Sequence, residues 1–202
     1  ARKCYVSKET NKRYKGLAKH LKEVYFPTFR PPRGLGPRLG PAGYAAGAMV
    51  DRAASALIMR KSIKGLPKWS VRLGKKVVQG LRGCRMQHMT TQLVVFCNKR
   101  NYATAVDIYG RCPKTGDHIL IELKYSSHSC TNLREVYRTP GQDRDTMRVC
   151  GKPNTIFEQH AMQARQTALM FSKCYKISKK RIQVAVLVIA YDGSTMFNRV
   201  PI

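Results

Sequence analysis

Two carboxylates and a lysine carry the clearest chemistry in this chain. Asp107 stands inside the apolar run Ala105-Val106-Asp107-Ile108-Tyr109, and Glu122 and Lys124 stand inside Ile119-Leu120-Ile121-Glu122-Leu123-Lys124. The chain holds only 11 Asp and Glu against 38 Lys and Arg. A carboxylate placed in an apolar strand is costly unless it is paired or binds a metal. Two carboxylates on adjacent strands can converge on one divalent ion, Mg2+ or Mn2+; Mg2+ takes oxygen ligands in an octahedron and keeps several waters. Such an ion activates water and stabilises charge on a phosphodiester. Glu122-Leu123-Lys124 is the only place where an acid precedes a lysine by two residues. In a strand these positions share a face, so the ammonium can reach the same site and stabilise developing negative charge. A plain salt bridge at a strand edge is the other reading of the pair.

The elements around these residues must bring them together. Gln92–Cys97, Ala103–Gly110 and His118–Lys124 read as three strands joined by the turns Asn98–Asn101 and Cys112–Asp117, an antiparallel meander. Asn154 or Thr155 caps a long helix to about Cys174, and Ile182 to Tyr191 is a near-continuous apolar run suited to a central strand covered on both faces. On the long helix Gln159, Gln163 and Gln166 share one face. A glutamine facing the sheet can hold a water or phosphate, and Gln163 is the best placed; a solvated polar face is the alternative. Upstream, residues 12–26 read as an amphipathic helix, 27–43 as a Pro- and Gly-rich loop, and Ala42–Arg60 as a buried helix. Residues 61–88 read as a basic, Gly-punctuated loop region with a short helix near Lys75–Leu81. Trp69 in that region can stack on a base, but the expected role is to anchor the segment to the core. Residues 126–154 read as irregular. The order of elements gives an α/β or α+β sandwich around a mixed sheet, in one domain made of N-terminal helices and loop (12–60), a basic insertion (61–90) and a core (91–191).

The formal net charge is +27, which opposes compaction and favours a polyanionic partner. Nucleic acid is the expected partner, because Lys and Arg contacts to phosphate release condensed counterions. Arg30, Arg33, Lys75 and Lys76 are candidates to track its backbone, chosen on charge alone. No apolar run reaches about 18 residues, so no membrane span is expected, and the first residues do not read as a secretory signal. The seven cysteines form no C-x-x-C pair, which argues against a zinc site or a disulfide framework and for a reducing compartment, cytosol or nucleus. The five histidines show no metal-ligand spacing. Asp143 and Asp145 lie in a polar loop. Ser126 and Ser127 can touch phosphate or cap a turn.

The strand aspartate followed by a strand Glu-x-Lys resembles the PD-(D/E)XK nuclease superfamily, although Val106 stands where the motif's proline would be. Within it, three segments resemble a herpesvirus nuclear and nucleolar protein family with a predicted endonuclease core: Lys12–Glu23, Ile119–Lys124 and Met162–Gln166. With the Asp107 strand they cover about a third of the chain. The resemblance implies a restriction-endonuclease-like sheet flanked by helices, and Mg2+ or Mn2+ held by Asp107 and Glu122. It implies Lys124 beside the attacking water and Gln163 in support. An upstream helical acid often completes the site. Asp51 in Gly47-Ala48-Met49-Val50-Asp51 fits that role; Glu23, or an Asp51 paired with an arginine, are the alternatives. It also implies a place in the host nucleus or nucleolus, with virion association, or the cytosol or an organelle as alternatives. The expectation is a metal-dependent nuclease acting on DNA more than RNA, with protein partners in a larger assembly. The rival is a catalytically inactive nuclease-like basic protein that binds DNA or RNA in a ribosome, nucleoprotein core or virion. A third reading is a transcription or packaging factor that binds DNA without cutting it.

Overall fold

The computed structural model describes residues 5–7, 10–26, 41–139, 148–149 and 152–202. The chain opens with the short strands β1 (Tyr5–Val6) and β2 (Arg13–Gly16), then α1 (Leu17–Tyr25), α2 (Pro41–Ile58) and α3 (Lys68–Gly83). The three-strand meander follows as β3 (Gln87–Cys97), β4 (Tyr102–Arg111) and β5 (His118–Ser126). Then come α4 (Cys130–Tyr137), a small hairpin of β6 (Arg148–Val149) and β7 (Lys152–Pro153), α5 (Ile156–Tyr175), β8 (Ile182–Ala190) and β9 (Thr195–Val200).

Seven of these strands form one mixed, open sheet, flanked by helices on both faces. β4 is antiparallel to β3 and β5, β5 is parallel to β8 through the crossover that contains α5, and β8 is antiparallel to β9. The apolar run of β8 is buried on both faces, as a parallel central strand should be. One face packs Val95, Val106, Leu120 and Val186 against α1, α4 and α5; the other packs Ile108, Ile121, Ala185 and Leu187 against α2 and α3. No described helix is long and apolar enough to cross a membrane.

Four local expectations change. Residues 13–16 are strand rather than helix, because Lys15 and Gly16 pair in parallel with Tyr102 and Ala103 of β4. The basic region holds a full 16-residue helix, α3. Its Leu73, Val77 and Leu81 form a buried stripe at helical spacing. Gly74 is what lets this helix meet α2: a Cβ there would lie 2.9 Å from Ala54 N and 3.0 Å from the Ala53 carbonyl carbon. Trp69 does not anchor α3 to the core; it is 41% exposed. Finally, α4 and β9 occupy stretches with no strong period in the sequence, and both gain order from packing on β8.

α5 is fixed at both ends. Thr155 Oγ1 accepts from Glu158 N at 3.0 Å, a side-chain cap of the first turn. Near its end, the Cys174 thiol donates to Phe96 O at 3.1 Å and accepts from Phe96 N at 3.4 Å, on the outer edge of β3.

Candidate active site

β3 pairs along the whole length of β4, so β2 and β5 must share the other edge. β2 covers that edge at Tyr102 and Ala103, and β5 covers it from Ile108 onward. On that edge, among the described residues, neither β2 nor β5 pairs with the stretch between, 104–107, and the edge has a notch there. The chain also changes face in the notch. Val106 packs in the core under α5, whereas Ile108, two residues on, packs in the core under α2 and α3. Regular alternation would put both on one face. Gln92, opposite Asp107 between the pairs Thr91↔Ile108 and Leu93↔Val106, adopts φ 55°, so β3 bends at the same point. A non-glycine residue in that region carries strain of the kind found at functional sites.

The notch is closed by side chains. Asp107 Oδ2 accepts from Leu123 N at 2.9 Å, standing in for the missing backbone ladder between β4 and β5. Tyr5, carried in by β1, hydrogen-bonds through its hydroxyl with the backbone of Ala105. Continuing the register Ile108↔Ile121 by one step places Asp107 opposite Glu122. Glu122 is 5% exposed; its Oε1 accepts from Lys124 Nζ and from Gln163 Nε2, both at 2.6 Å. Lys124 Nζ also lies 3.4 Å from Gln163 Oε1. Among the described residues no arginine pairs with Asp107 or Glu122. The structure therefore brings together Asp107, Glu122, Lys124 and Gln163. The Glu122–Lys124 ion pair anticipated as the plainer reading also forms, though on a central strand rather than an edge.

Asp51 approaches from α2, on the opposite side of the sheet from Gln163. Its carboxylate accepts from Gln92 Nε2 at 3.1 and 3.3 Å. Among the described residues no group of three or more His, Cys, Asp or Glu side chains is placed to hold a metal ion. Asp51 is thus close enough to act on Asp107 electrostatically but is not assembled with Asp107 and Glu122 as a third ligand. Glu23, the other upstream acid, instead pairs on the surface with Lys19 at 3.4 Å.

The electrostatics follow from burial and crowding. Loss of water contact, then the adjacent Glu122 carboxylate, push the Asp107 carboxyl well above the usual carboxylate range; Lys124 and the Leu123 N–H oppose the shift, and Asp51 adds to it. Burial works against the Lys124 charge, but the Glu122 and Asp107 carboxylates outweigh it and hold the ammonium more firmly than usual. Burial raises the Tyr5 phenol, and Asp107 and Glu122 add to that against the Ala105 backbone bond. Behind Lys124 lies a second polar pair, the Tyr137 hydroxyl 2.7 Å from His160 Nδ1. Burial, then Lys124, hold His160 well below its usual range and keep it neutral; burial, then Glu122, raise Tyr137.

Sequence reasoning missed Tyr5, Gln92, Tyr137 and His160 as members of this neighbourhood. Ser126 turns out to cap a turn: its Oγ donates to His128 O and accepts from His128 N, both at 3.0 Å. Lys75 and Lys76 are exposed on α3. Arg30 and Arg33 lie outside the described residues, as do Asp143 and Asp145. Comparison with protein-family models, with curated proteins and with solved structures found no match.

Proposed function

We propose that this chain is a metal-dependent nuclease of the restriction-endonuclease-like kind that hydrolyses phosphodiester bonds of DNA. One observation carries the reading: Asp107 and Glu122 meet where β4 and β5 part, with Lys124 and Gln163 on the same acid. Two crowded carboxylates, one pushed toward its protonated form by burial and then by the other, are a donor set that a small hard cation would relieve. Asp107 and Glu122 are the residues that would hold Mg2+ or Mn2+. Two carboxylates are enough, because Mg2+ characteristically takes one or two from the protein and the rest from water and substrate phosphate. The cation would supply Lewis-acid charge stabilisation at the phosphodiester.

The remaining work falls to the chain itself. Lys124 presents a fixed positive charge on the same face as Glu122, suited to neutralise charge that develops on phosphoryl oxygen. Gln163 donates to Glu122 and accepts toward Lys124, so it sets the orientation of both. The neutral His160 and Tyr137 pack behind them without adding charge. The excess of basic residues is suited to the phosphate backbone.

The test is cleavage of supercoiled and linear DNA with Mg2+ or Mn2+, comparing the wild type with Glu122→Gln and Lys124→Ala. Metal-dependent cutting that is lost in both variants while DNA binding persists is the expected result. The second reading, a non-catalytic basic protein with this fold, draws on the 2.6 Å Lys124–Glu122 ion pair, which already satisfies the buried acid. Tight, salt-sensitive binding without cutting by the wild type would select it.

A further inference from the structure

α3 carries a stripe that the site does not use. Trp69, Arg72 and Lys76 are spaced three and four residues apart, which puts them on one helical face. Lys68 and Lys75, seven residues apart, flank that stripe. All five are exposed, and Trp69, the only tryptophan in the chain, is 41% exposed. The stripe runs beside the turn between β8 and β9. Arg72 Nη2 donates to Tyr191 O at 3.4 Å, and a Cβ on Gly193 would lie 3.7 Å from Lys76 Cγ. Tyr191 is 54% exposed. The one acid of the turn, Asp192, is engaged locally: Oδ1 accepts from Ser194 N at 2.9 Å and from Ser194 Oγ at 2.6 Å.

This turn is tied to the strand that bears the site. Tyr191 N donates to Ser126 O at 2.9 Å, and Ser126 lies two residues beyond Lys124 on β5. With Lys124 paired to Val188 and the two strands parallel, Tyr191 begins roughly 11 Å from Lys124 by standard strand rise and spacing. Exposed aromatic rings interleaved with Arg and Lys are what single-stranded nucleic acid needs, with charges along the phosphates and flat faces for the bases.

We propose that Trp69, Arg72, Lys76 and Tyr191 form a stacking platform for unpaired bases on the α3 face of the sheet, at the end of the strands that carry the candidate site, so that the preferred substrate has a single-stranded segment. This rests on the nucleic-acid half of the reading above and adds the substrate's form. Because Trp69 is the only tryptophan, its fluorescence reports the platform directly. The full chain is titrated in EDTA, at fixed salt, with oligo-dT, with an abasic oligomer of the same length, with a duplex and with polyglutamate. Oligo-dT is expected to quench Trp69 saturably, with the abasic oligomer, the duplex and polyglutamate quenching far less. Tyr191→Ala is expected to weaken oligo-dT binding about 5- to 150-fold, the range for losing one stacked base, whereas Tyr191→Phe keeps it. Equal binding of oligo-dT and the abasic oligomer would overturn the platform, as would equal quenching by the duplex. Polyglutamate quenching as strongly as oligo-dT would overturn it in favour of an acidic protein partner. A chain that stacks oligo-dT but never cuts leaves the platform standing and removes the nuclease; one that cuts duplex DNA with Trp69 unquenched does the reverse.

Discussion

Replacing Asp107 with asparagine should make the metal-free protein more stable. The hydrogen bond from Leu123 N, 2.9 Å long, survives because the amide keeps an oxygen in the same place. What disappears is a carboxylate that burial and Glu122 both disfavour, while Lys124 keeps its 2.6 Å partner in Glu122. Neutralising such a strained functional group is worth about 1 kcal/mol, and a chain of this size gains about 2–4 °C in Tm per kcal/mol. The sign with pH is specific. Asp107 holds its proton more tightly folded than unfolded, so the folded state binds more protons over the window between the ordinary carboxylate range and the raised one. Wild-type stability therefore falls as pH rises through that window, and the gap to Asp107→Asn should open from near zero at about pH 3, where both states are protonated, to its full size above the raised value. Added Mg2+ should reverse the order: at about 100 times its Kd it stabilises the wild type by about 2.7 kcal/mol and leaves the variant unmoved. Thermal melts across pH, with and without Mg2+, measure all of this. A variant less stable than the wild type at neutral pH, or a gap that ignores pH, would refute the argument and make Asp107 a structural carboxylate.

Three further outcomes follow from named contacts. Lys124→Met leaves the buried Glu122 carboxylate without its cation and should cost about 3 kcal/mol; adding Glu122→Gln should recover most of that, as a double-mutant cycle by denaturant unfolding will read. Tyr5→Phe removes the hydroxyl at Ala105 in the notch of β4. It should cost about 1 kcal/mol of stability, measured by chemical denaturation. Gly74→Ala should destabilise by about 1–3 kcal/mol, against the usual gain of Gly→Ala in a helix, because its methyl would meet the α2 backbone at 2.9 Å; chemical denaturation reads the sign.

The strands were legible as short apolar runs bounded by turn residues, and the long helix by its cap and length. The meander shows as three short apolar runs between turn residues, and β8 as an unbroken apolar run. Glu122 and Lys124 were readable as sharing a face from the pleat alone, and Asp107 as their neighbour from the hairpin that joins the two strands. The rest depended on tertiary context. Tyr5 sits in a two-residue strand about a hundred residues before its neighbours, with no period to mark it. Gln92 and Asp107 break alternation together, which no single-strand pattern reports. The glycines of α3 resembled breakers, but Gly74 is where two helices touch and Gly80 is merely exposed, so packing outweighed propensity. Asp51 had the right kind of helix, but Gln92 engages its carboxylate.

The thiol of Cys174 has a consequence for association between copies of the chain. Among the described residues β3 pairs with β4 alone, and the outward N–H and C=O groups of such an edge are a template on which another strand can pair. At Phe96 both groups are already taken by one sulfur atom, delivered by the helix that also carries Gln163. That stopper is only as permanent as the thiol. Alkylating or oxidising Cys174 frees the Phe96 backbone at the end of an eleven-residue strand whose Val94 and Phe96 side chains are exposed, and self-association through that edge is then opposed by the bend at Gln92 and by the mutual repulsion of highly cationic chains.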